Sequence, residues 1–411
     1  MNDFDHELTQ RLAAVRQQGL WRELRRVDSP QSPRVEIGGR TLLNFSSNDY
    51  LGLANEPALK EAAITAVERY GAGAGASRLI CGSLAPHQEL DEALAVFKGT
   101  EAALSFSTGY AAAIGAICAL LGKDDFIILD KLIHACIVDA ARLCGAKLRV
   151  FDHNDVIDLE AKLKWVGERV QSPSTLRSAA TEDGKSEVQS REGRALVVTE
   201  SVFSMDGDHA PLREMVELKE RYGAWLMVDE AHATGLYGAN RRGMAEELGV
   251  SDRIEVQMGT LGKALGAAGG YICGSRALID YLINRARTFI FSTAPVPAAA
   301  AAATAGVRFV QSSAGEERRS KLWQNVSSLL STIHSQTSTG TSAIIPILMG
   351  EESKAVEAAA ALRERGIFIP AIRYPTVARG QARLRLTLTA AHTQADLGQL
   401  AAALKSLDFR L

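Results

Sequence analysis

Between Glu101 and Leu265 the chain passes through six short apolar segments, Ala102–Phe106, Phe126–Leu129, Leu148–Phe151, Leu196–Val198, Leu226–Val228 and Ile254–Met258, with helical stretches between them. Runs without polar alternation read as strands covered on both faces, and strands that alternate with helices build a mostly parallel sheet wrapped by helices. The expected class is therefore α/β. The 411 residues, 46% hydrophobic and 23% charged, suffice for a sizeable core and for two or three domains.

The flanks have a different character. A helix is expected from about Asp5 to Arg25, with Leu8, Leu12, Val15 and Leu20 near helical spacing, stopped by Ser29-Pro-Gln-Ser-Pro. Val35 to Leu43 reads as a hairpin around Gly38-Gly39. Beyond Ser312 come a helix, a strand near Ile344–Leu348, a helix over Ser353–Arg365, a strand over Arg383–Thr389 and a closing helix, the pattern of a smaller α/β lobe. Three regions result: 1–50, a helix and hairpin; 51–311, a large domain; and 312–411, a small C-terminal domain. Within the large domain, Gln171 to Gly193 is polar and almost without apolar residues, and reads as a mobile surface loop.

Charge excludes some partners. A net charge of −2 offers no field for nucleic acid or anionic membrane, so small molecules are the expected partners. The acidic start Met1-Asn-Asp-Phe-Asp-His-Glu is unlike a signal peptide, and the longest apolar candidate for a span, Pro297–Val310, is mostly alanine. Five cysteines show no paired metal spacing, so no metal is expected, and a reducing cytoplasm is the simplest setting.

Two strand ends concentrate the chemistry. In Trp225-Leu-Met-Val-Asp-Glu-Ala-His-Ala-Thr-Gly, Asp229 and His232 leave the sheet at its carboxyl edge, where open α/β sheets bind ligands. In Gly259-Thr-Leu-Gly-Lys-Ala-Leu-Gly, Lys263 lies among glycines that let backbone approach a ligand. Taken alone, Asp229 reads more readily as a turn cap and Lys263 as a solvated loop lysine. Together, a carboxylate for a pyridinium nitrogen and a lysine for a Schiff base are what pyridoxal phosphate requires.

A phosphate would find backbone amides at Ser107-Thr-Gly-Tyr-Ala, which follows the strand ending at Phe106 and opens a helix. The cluster Gly71-Ala-Gly-Ala-Gly-Ala-Ser-Arg has a different meaning. Its spacing is Gly-x-Gly-x-Gly and no strand precedes it, so it is read as a loop and not as a dinucleotide fingerprint.

Six motifs spread over nearly the whole chain resemble the α-oxoamine synthases: Asn44-Phe-Ser-Ser-Asn-Asp-Tyr-Leu-Gly-Leu, Gly75-Ala-Ser-Arg-Leu-Ile-Cys-Gly, Thr199-Glu-Ser-Val-Phe-Ser-Met-Asp-Gly-Asp, Val228-Asp-Glu-Ala-His-Ala-Thr-Gly, Gly259-Thr-Leu-Gly-Lys and Arg383-Leu-Arg-Leu-Thr-Leu-Thr-Ala-Ala-His. The resemblance implies a fold-type I pyridoxal phosphate transferase, with a central, mostly parallel seven-stranded sheet and a smaller C-terminal α/β domain. It implies an enzyme that joins an amino acid to an acyl thioester with loss of carbon dioxide, working as a homodimer. Ala371-Ile-Arg-Tyr-Pro-Thr-Val and Leu384 to His392 are most similar to members that join L-alanine to pimeloyl-CoA or pimeloyl-carrier protein. The pair Tyr374-Pro375, where those members show Pro-Pro, is similar instead to the glycine C-acetyltransferases.

Carried over by residue, the resemblance makes Lys263 the cofactor lysine and the base for the α-proton. Asp229 would pair with the pyridine nitrogen, His232 and Ser204 with the phenolic oxygen, and His134 would stack on the ring. Gly109, Tyr110 and Thr260 would hold the phosphate, with Ser292 and Thr293 reaching that of a neighbouring subunit. Arg373 and Asn48 would clamp the amino acid carboxylate, Thr376 would line the acyl pocket, and Arg22 would meet the distal carboxylate of the acyl chain; a solvated helix arginine is an equal reading of Arg22. A second reading is a relative that uses glycine with acetyl-CoA or serine with a long acyl-CoA. A third is a non-catalytic binding protein on the same fold, disfavoured by the joint presence of Asp229, His232 and Lys263.

Overall fold

All six apolar segments form strands. The computed structural model describes residues 3–170, 193–333 and 342–406, so the polar segment 171–193, except its last residue, lies outside the described residues. In chain order the strands are β1 (Arg34–Ile37), β2 (Arg40–Asn44), β3 (Ala102–Phe106), β4 (Phe126–Asp130), β5 (Lys147–Phe151), β6 (Ala195–Glu200), β7 (Trp225–Asp229), β8 (Val256–Thr260), β9 (Gly270–Gly274), β10 (Ile344–Gly350), β11 (Ile367–Phe368), β12 (Ala371–Ile372) and β13 (Ala382–Thr387). They belong to two compact units. The larger holds Glu56–Ser204 and Asp208–Glu317; the terminal unit holds Met1–Asn55, Met205–Gly207 and Arg318–Leu411. The flanking regions 1–50 and 312–411, separate in sequence, thus fall mostly within one unit.

The larger unit is built on one seven-stranded sheet of order β3-β9-β8-β7-β6-β4-β5. β8, β7, β6, β4 and β5 pair in parallel, and β9 runs antiparallel between β3 and β8. Side chains alternate between two cores, as the pleat requires. Ile127 and Leu129 of β4 pack with Ala112, Ala116 and Ile117 of the helix Gly109–Leu120 and with Ile137 and Ala140 of the helix Ala135–Cys144. Phe126 and Ile128 face the other way, onto Leu159 and Leu163 of the helix Val156–Val170 and Met215 and Val216 of the helix Leu212–Arg221. Each such fully buried aliphatic side chain contributes roughly 1.5–3 kcal/mol.

In the terminal unit, β1 and β2 form the expected hairpin. Gly38 and Gly39 both have positive φ, 60° and 73°, which a tight two-residue turn of this hand demands. β11 adds in parallel to β2, and β13 pairs antiparallel with both β10 and β12. His392 is buried here, stacked on Phe45 at 4.3 Å between ring centroids, with Nε2 3.1 Å from the Asn44 carbonyl. Burial lowers its pKa to about 4 against these hydrogen bonds, so it is a neutral core residue.

The first helix is shorter than the spacing suggests. It spans Asp3–Gln17 and closes where Gly19 takes φ 67°. Leu20 N–H donates to the Val15 carbonyl and Gly19 N–H to that of Arg16, the two bonds that end a helix at a left-handed glycine. Leu20 and Trp21 therefore extend the apolar pattern but not the helix, and Arg22 lies beyond it, so the reading of Arg22 as a helix arginine is corrected.

Candidate active site

Six strands of the larger unit, β3 to β8, end at one edge of the sheet, and the ends of β3, β4, β6, β7 and β8 each bear or precede a chemically distinctive residue. β7 ends in Asp229, 6% exposed, whose Oδ1 accepts from the Ala231 N–H at 2.9 Å. Burial pushes the Asp229 carboxyl up, with the Lys263 cation, the Ala231 amide and His134 pulling the other way. A cationic ring nitrogen beside it would restore the carboxylate. His232, also 6% exposed, is 2.9 Å from Lys263 Nζ through its Nε2. A protonated Lys263 donates in that bond, which fixes the imidazole tautomer.

Lys263 sits between β8 and β9. Leu261 N–H donates to the Gly269 carbonyl and Gly266 N–H to that of Lys263, folding residues 261–269 into a bonded loop. Next to it, Thr108 accepts from the Ala111 N–H and caps the helix Gly109–Leu120, whose first-turn amides lie outside the helical ladder. Backbones meet closely here. A Cβ on Gly270 would stand 2.5 Å from Gly109 Cα, and one on Gly109 would stand 2.6 Å from Thr260 Cγ2. Gly109 and Thr260 are thereby brought together. Tyr110 is half-exposed, its hydroxyl donating to Asp139 at 2.6 Å.

His134 is the first residue outside the helix Ala135–Cys144, and its Nδ1 accepts from the Cys136 N–H at 3.2 Å. Although the residue is exposed on one side, desolvation on the other lowers its pKa, and Asp229 opposes that shift. Asp229, Lys263 and His134 are therefore electrostatic neighbours. Ser204 follows β6, with its N–H donating to Glu200 Oε2 at 3.1 Å.

Glu200 has no role in the sequence reading. It ends β6, is buried, and burial together with the Asp229 carboxylate pushes its pKa up to about 8, against Lys263. An acid at the carboxyl end of an apolar strand is the same signal that marks Asp229, and it was there to be read in Thr199-Glu-Ser.

Pyridoxal phosphate suits this edge on three observations. Asp229 is a desolvated carboxylate whose neighbours leave its pKa raised. Thr260 Oγ1 and Glu200 Oε1 are buried with no hydrogen-bond partner among the described residues. The helix Gly109–Leu120 starts at this edge, beside Thr260, and its first-turn amides lie outside the helical ladder. Thr293 is placed otherwise: it is exposed and its backbone bridges to Ser77.

The remaining expected residues belong to the terminal unit. Arg22, Arg373 and Thr376 line one cavity of about 490 Å³, together with Arg25 and Arg363. Arg373 donates from Nη2 to the Trp21 carbonyl at 2.7 Å and from Nη1 to that of Gly19, and the Thr376 N–H donates to the Arg373 carbonyl. Asn48 Oδ1 accepts from Arg385 Nη1 at 3.0 Å and lies outside that cavity's lining.

Comparison with known proteins agrees with this geometry. Residues 40–404 match the model for class I and II aminotransferases. The chain belongs to that family, in its α-oxoamine synthase branch. It is 44% identical over 403 residues to the 8-amino-7-oxononanoate synthase of Geotalea daltonii (strain DSM 22248 / JCM 15807 / FRC-32), covering 97% of each chain. To that of Anaeromyxobacter dehalogenans (strain 2CP-1 / ATCC BAA-258) it is 46% identical over 399 residues, or 96% of this chain and 94% of the other. Among solved structures, a serine palmitoyltransferase variant from S. paucimobilis with a bound PLP–myriocin aldimine superposes with a TM-score of 0.85 at 30% identity, covering 98% of each chain.

Proposed function

We propose that the chain condenses L-alanine with a pimeloyl thioester, of coenzyme A or a carrier protein, to give 8-amino-7-oxononanoate, carbon dioxide and free thiol, a step of biotin biosynthesis. The observation that carries the chemistry is the buried Asp229 beside the bonded Lys263–His232 pair at the carboxyl edge of the sheet. The relatives' names carry the substrate. Pyridoxal phosphate, when bound, supplies an aldehyde that links to an amino group and a pyridinium ring that draws electrons from the adjacent carbon.

The residues divide the remaining work. Lys263 Nζ holds the cofactor between turnovers, removes the proton from the alanine α-carbon and returns one before release. Asp229 keeps the ring nitrogen protonated, and His232 and Ser204 hydrogen-bond the phenolic oxygen. His134 would stack on the ring and offer a hydrogen bond to the thioester carbonyl as its carbon is attacked. Gly109, Tyr110 and Thr260 hold the phosphate from one subunit, and Thr293 from the second subunit of a homodimer. Arg373 and Asn48 bind the alanine carboxylate, which the guanidinium fork grips at both oxygens. Thr376 and Arg22 serve the acyl chain, Arg22 meeting its distal carboxylate. The new carbon–carbon bond expels the thiol, and loss of the alanine carboxyl group as carbon dioxide completes the exchange. The cytoplasm is the site of action in this reading; no helix among the described residues is long and apolar enough to cross a membrane.

A second reading, glycine with acetyl-CoA, draws on Tyr374-Pro375. The test is a matrix of L-alanine, glycine and L-serine against pimeloyl-, acetyl- and palmitoyl-CoA, scored by thiol release and product mass. L-Alanine with pimeloyl-CoA should exceed every other pair; a matrix led by glycine and acetyl-CoA would transfer the assignment to the second reading.

A further inference from the structure

At the same edge of the sheet, toward β5 and outside every residue assigned above, lies a cluster of charged groups centred on His153, two residues past the end of β5. Its Nδ1 is 2.9 Å from Asp130 Oδ1 and its Nε2 is 2.7 Å from Asp208 Oδ2. A ring nitrogen facing a carboxylate oxygen must donate, so two such contacts call for both protons and a positive ring. Asp130 is completely buried, and its carboxylate also accepts from the Leu132 N–H at 2.8 Å and the Asn154 N–H at 2.9 Å. Asn154, at φ 56°, turns its side chain to donate to Asp208 at 2.9 Å and to the His209 carbonyl at 3.1 Å. The Phe203 ring meets the imidazole edge-on at 4.4 Å.

The two carboxylates belong to the two turns that matter. Asp130 ends β4 and starts the turn 131–134, gripping it through the Leu132 N–H and, by its carbonyl, the Ile133 N–H; that turn delivers His134. Asp208 accepts from the Phe203 N–H through its backbone carbonyl, one residue before Ser204. We propose that His153 is a positioning residue: as an imidazolium it clamps Asp130 to Asp208, and so sets the distance between the turn bearing His134 and the turn bearing Ser204.

The charged groups facing the ring are Asp130 from β4 and Asp208 from the segment after β6, with Asn154 and Phe203 completing its surroundings. Burial alone would lower the His153 pKa, and the two aspartates reverse this, raising it to about 10. Two features recommend the arrangement over a simple core contact. Each ring nitrogen has its own carboxylate oxygen within 2.9 Å, and one side chain links the segments that follow β4, β5 and β6.

The clamp rests on the proposed roles of His134 and Ser204, so its test has one arm that needs them and one that does not. In the holoenzyme labelled with ¹⁵N-histidine, with His153→Gln used to assign the resonance, both His153 ring nitrogens should be protonated at pH 7 and at pH 8.5. A neutral ring at pH 7 overturns the clamp whatever the enzyme does; if His153→Gln fails to fold, Phe203→Leu, which removes the ring lying edge-on to the imidazole, assigns the resonance by its shift instead. In the second arm, His153→Gln should lower kcat by roughly 10- to 100-fold, as a misplacement within an active site does, with the KM for the amino acid within about twofold. Asp208→Asn should act likewise, and the double variant should be no slower than the worse single one, since both remove the same link. Additive losses, or a wild-type kcat in a folded His153→Gln, overturn the positioning role. Failure of the wild-type reaction itself would instead count against the proposed function.

Discussion

Glu200 and Asp229 are register partners at the carboxyl ends of adjacent parallel strands, β6 and β7, and so point to the same face of the sheet. Two carboxyl groups so placed do not both ionise readily. Burial raises the pKa of both and Lys263 opposes that shift at both, and Glu200, facing the Asp229 carboxylate as well, keeps its proton to about pH 8.

The first prediction follows from that proton. Between about pH 4.5 and 8 the folded chain retains it and the unfolded chain releases it, so this group lowers stability as pH rises through that window. Glu200→Gln, which carries no titrating proton, should be at least about 2 kcal/mol more stable than wild type at pH 8. The two should converge near pH 4.5. Urea unfolding of the cofactor-free protein across that range measures it, and parallel pH curves would contradict the assignment.

Lys263 and Asp229 should differ in the kind of loss their replacement brings. Lys263→Ala should show no multiple turnover by thiol release. Asp229→Asn keeps the shape and removes the charge, and kcat should fall on the order of 10²-fold or more. Wild-type progress curves from either variant would exclude its assigned role.

Arg373 is the expected carboxylate clamp, and lysine cannot reproduce its fork. Both Arg373→Ala and Arg373→Lys should raise the KM for L-alanine by roughly 10²-fold, with a smaller effect on the thioester KM. Full rescue by lysine would argue for a point charge only.

Lys98 and Glu230 form a fully buried ion pair at 2.7 Å, and Glu230 Oε1 also accepts from the Ala245 N–H. Glu230 adjoins Asp229, so the pair anchors the turn that follows β7. Lys98→Met leaves Glu230 unpaired in the core and should destabilise the fold by about 3–5 kcal/mol. A joint replacement of both residues by apolar ones of similar size should recover much of that, as read by urea midpoints.

How much was legible in the sequence differs by element for physical reasons. β3, β4, β6, β7 and β8 were readable because strands buried on both faces have no polar alternation to disguise them, and β5, an edge strand with Lys147 and Arg149, was readable from Leu148, Val150 and Phe151. β9 was not: Gly270-Tyr-Ile-Cys-Gly offers three apolar residues between glycines, and Gly270 is there because Gly109 passes too near for a side chain. The same local view overran the first helix, where the apolar spacing continued through Leu20 past a glycine that terminates it. Among the candidate site residues, Asp229, His232 and Lys263 announced themselves by position. Glu200 carries the same strand-end signal as Asp229, whereas His153 does not announce itself, because a histidine in Asp152-His-Asn acquires meaning only from Asp208, 55 residues away.

The antiparallel course of β9 has one more consequence. A parallel neighbour would need a crossover of a dozen or more residues, but β8 and β9 pair Thr260 with Gly270 and are joined by the nine residues 261–269. Lys263 is therefore tethered at both ends by the sheet itself. Closing so short a loop is an entropic cost met during folding and not at each turnover. In the proposed cycle, the backbone that carries the amine would stay fixed after its release from the cofactor, so that the group that leaves at the start would still be in place to end it.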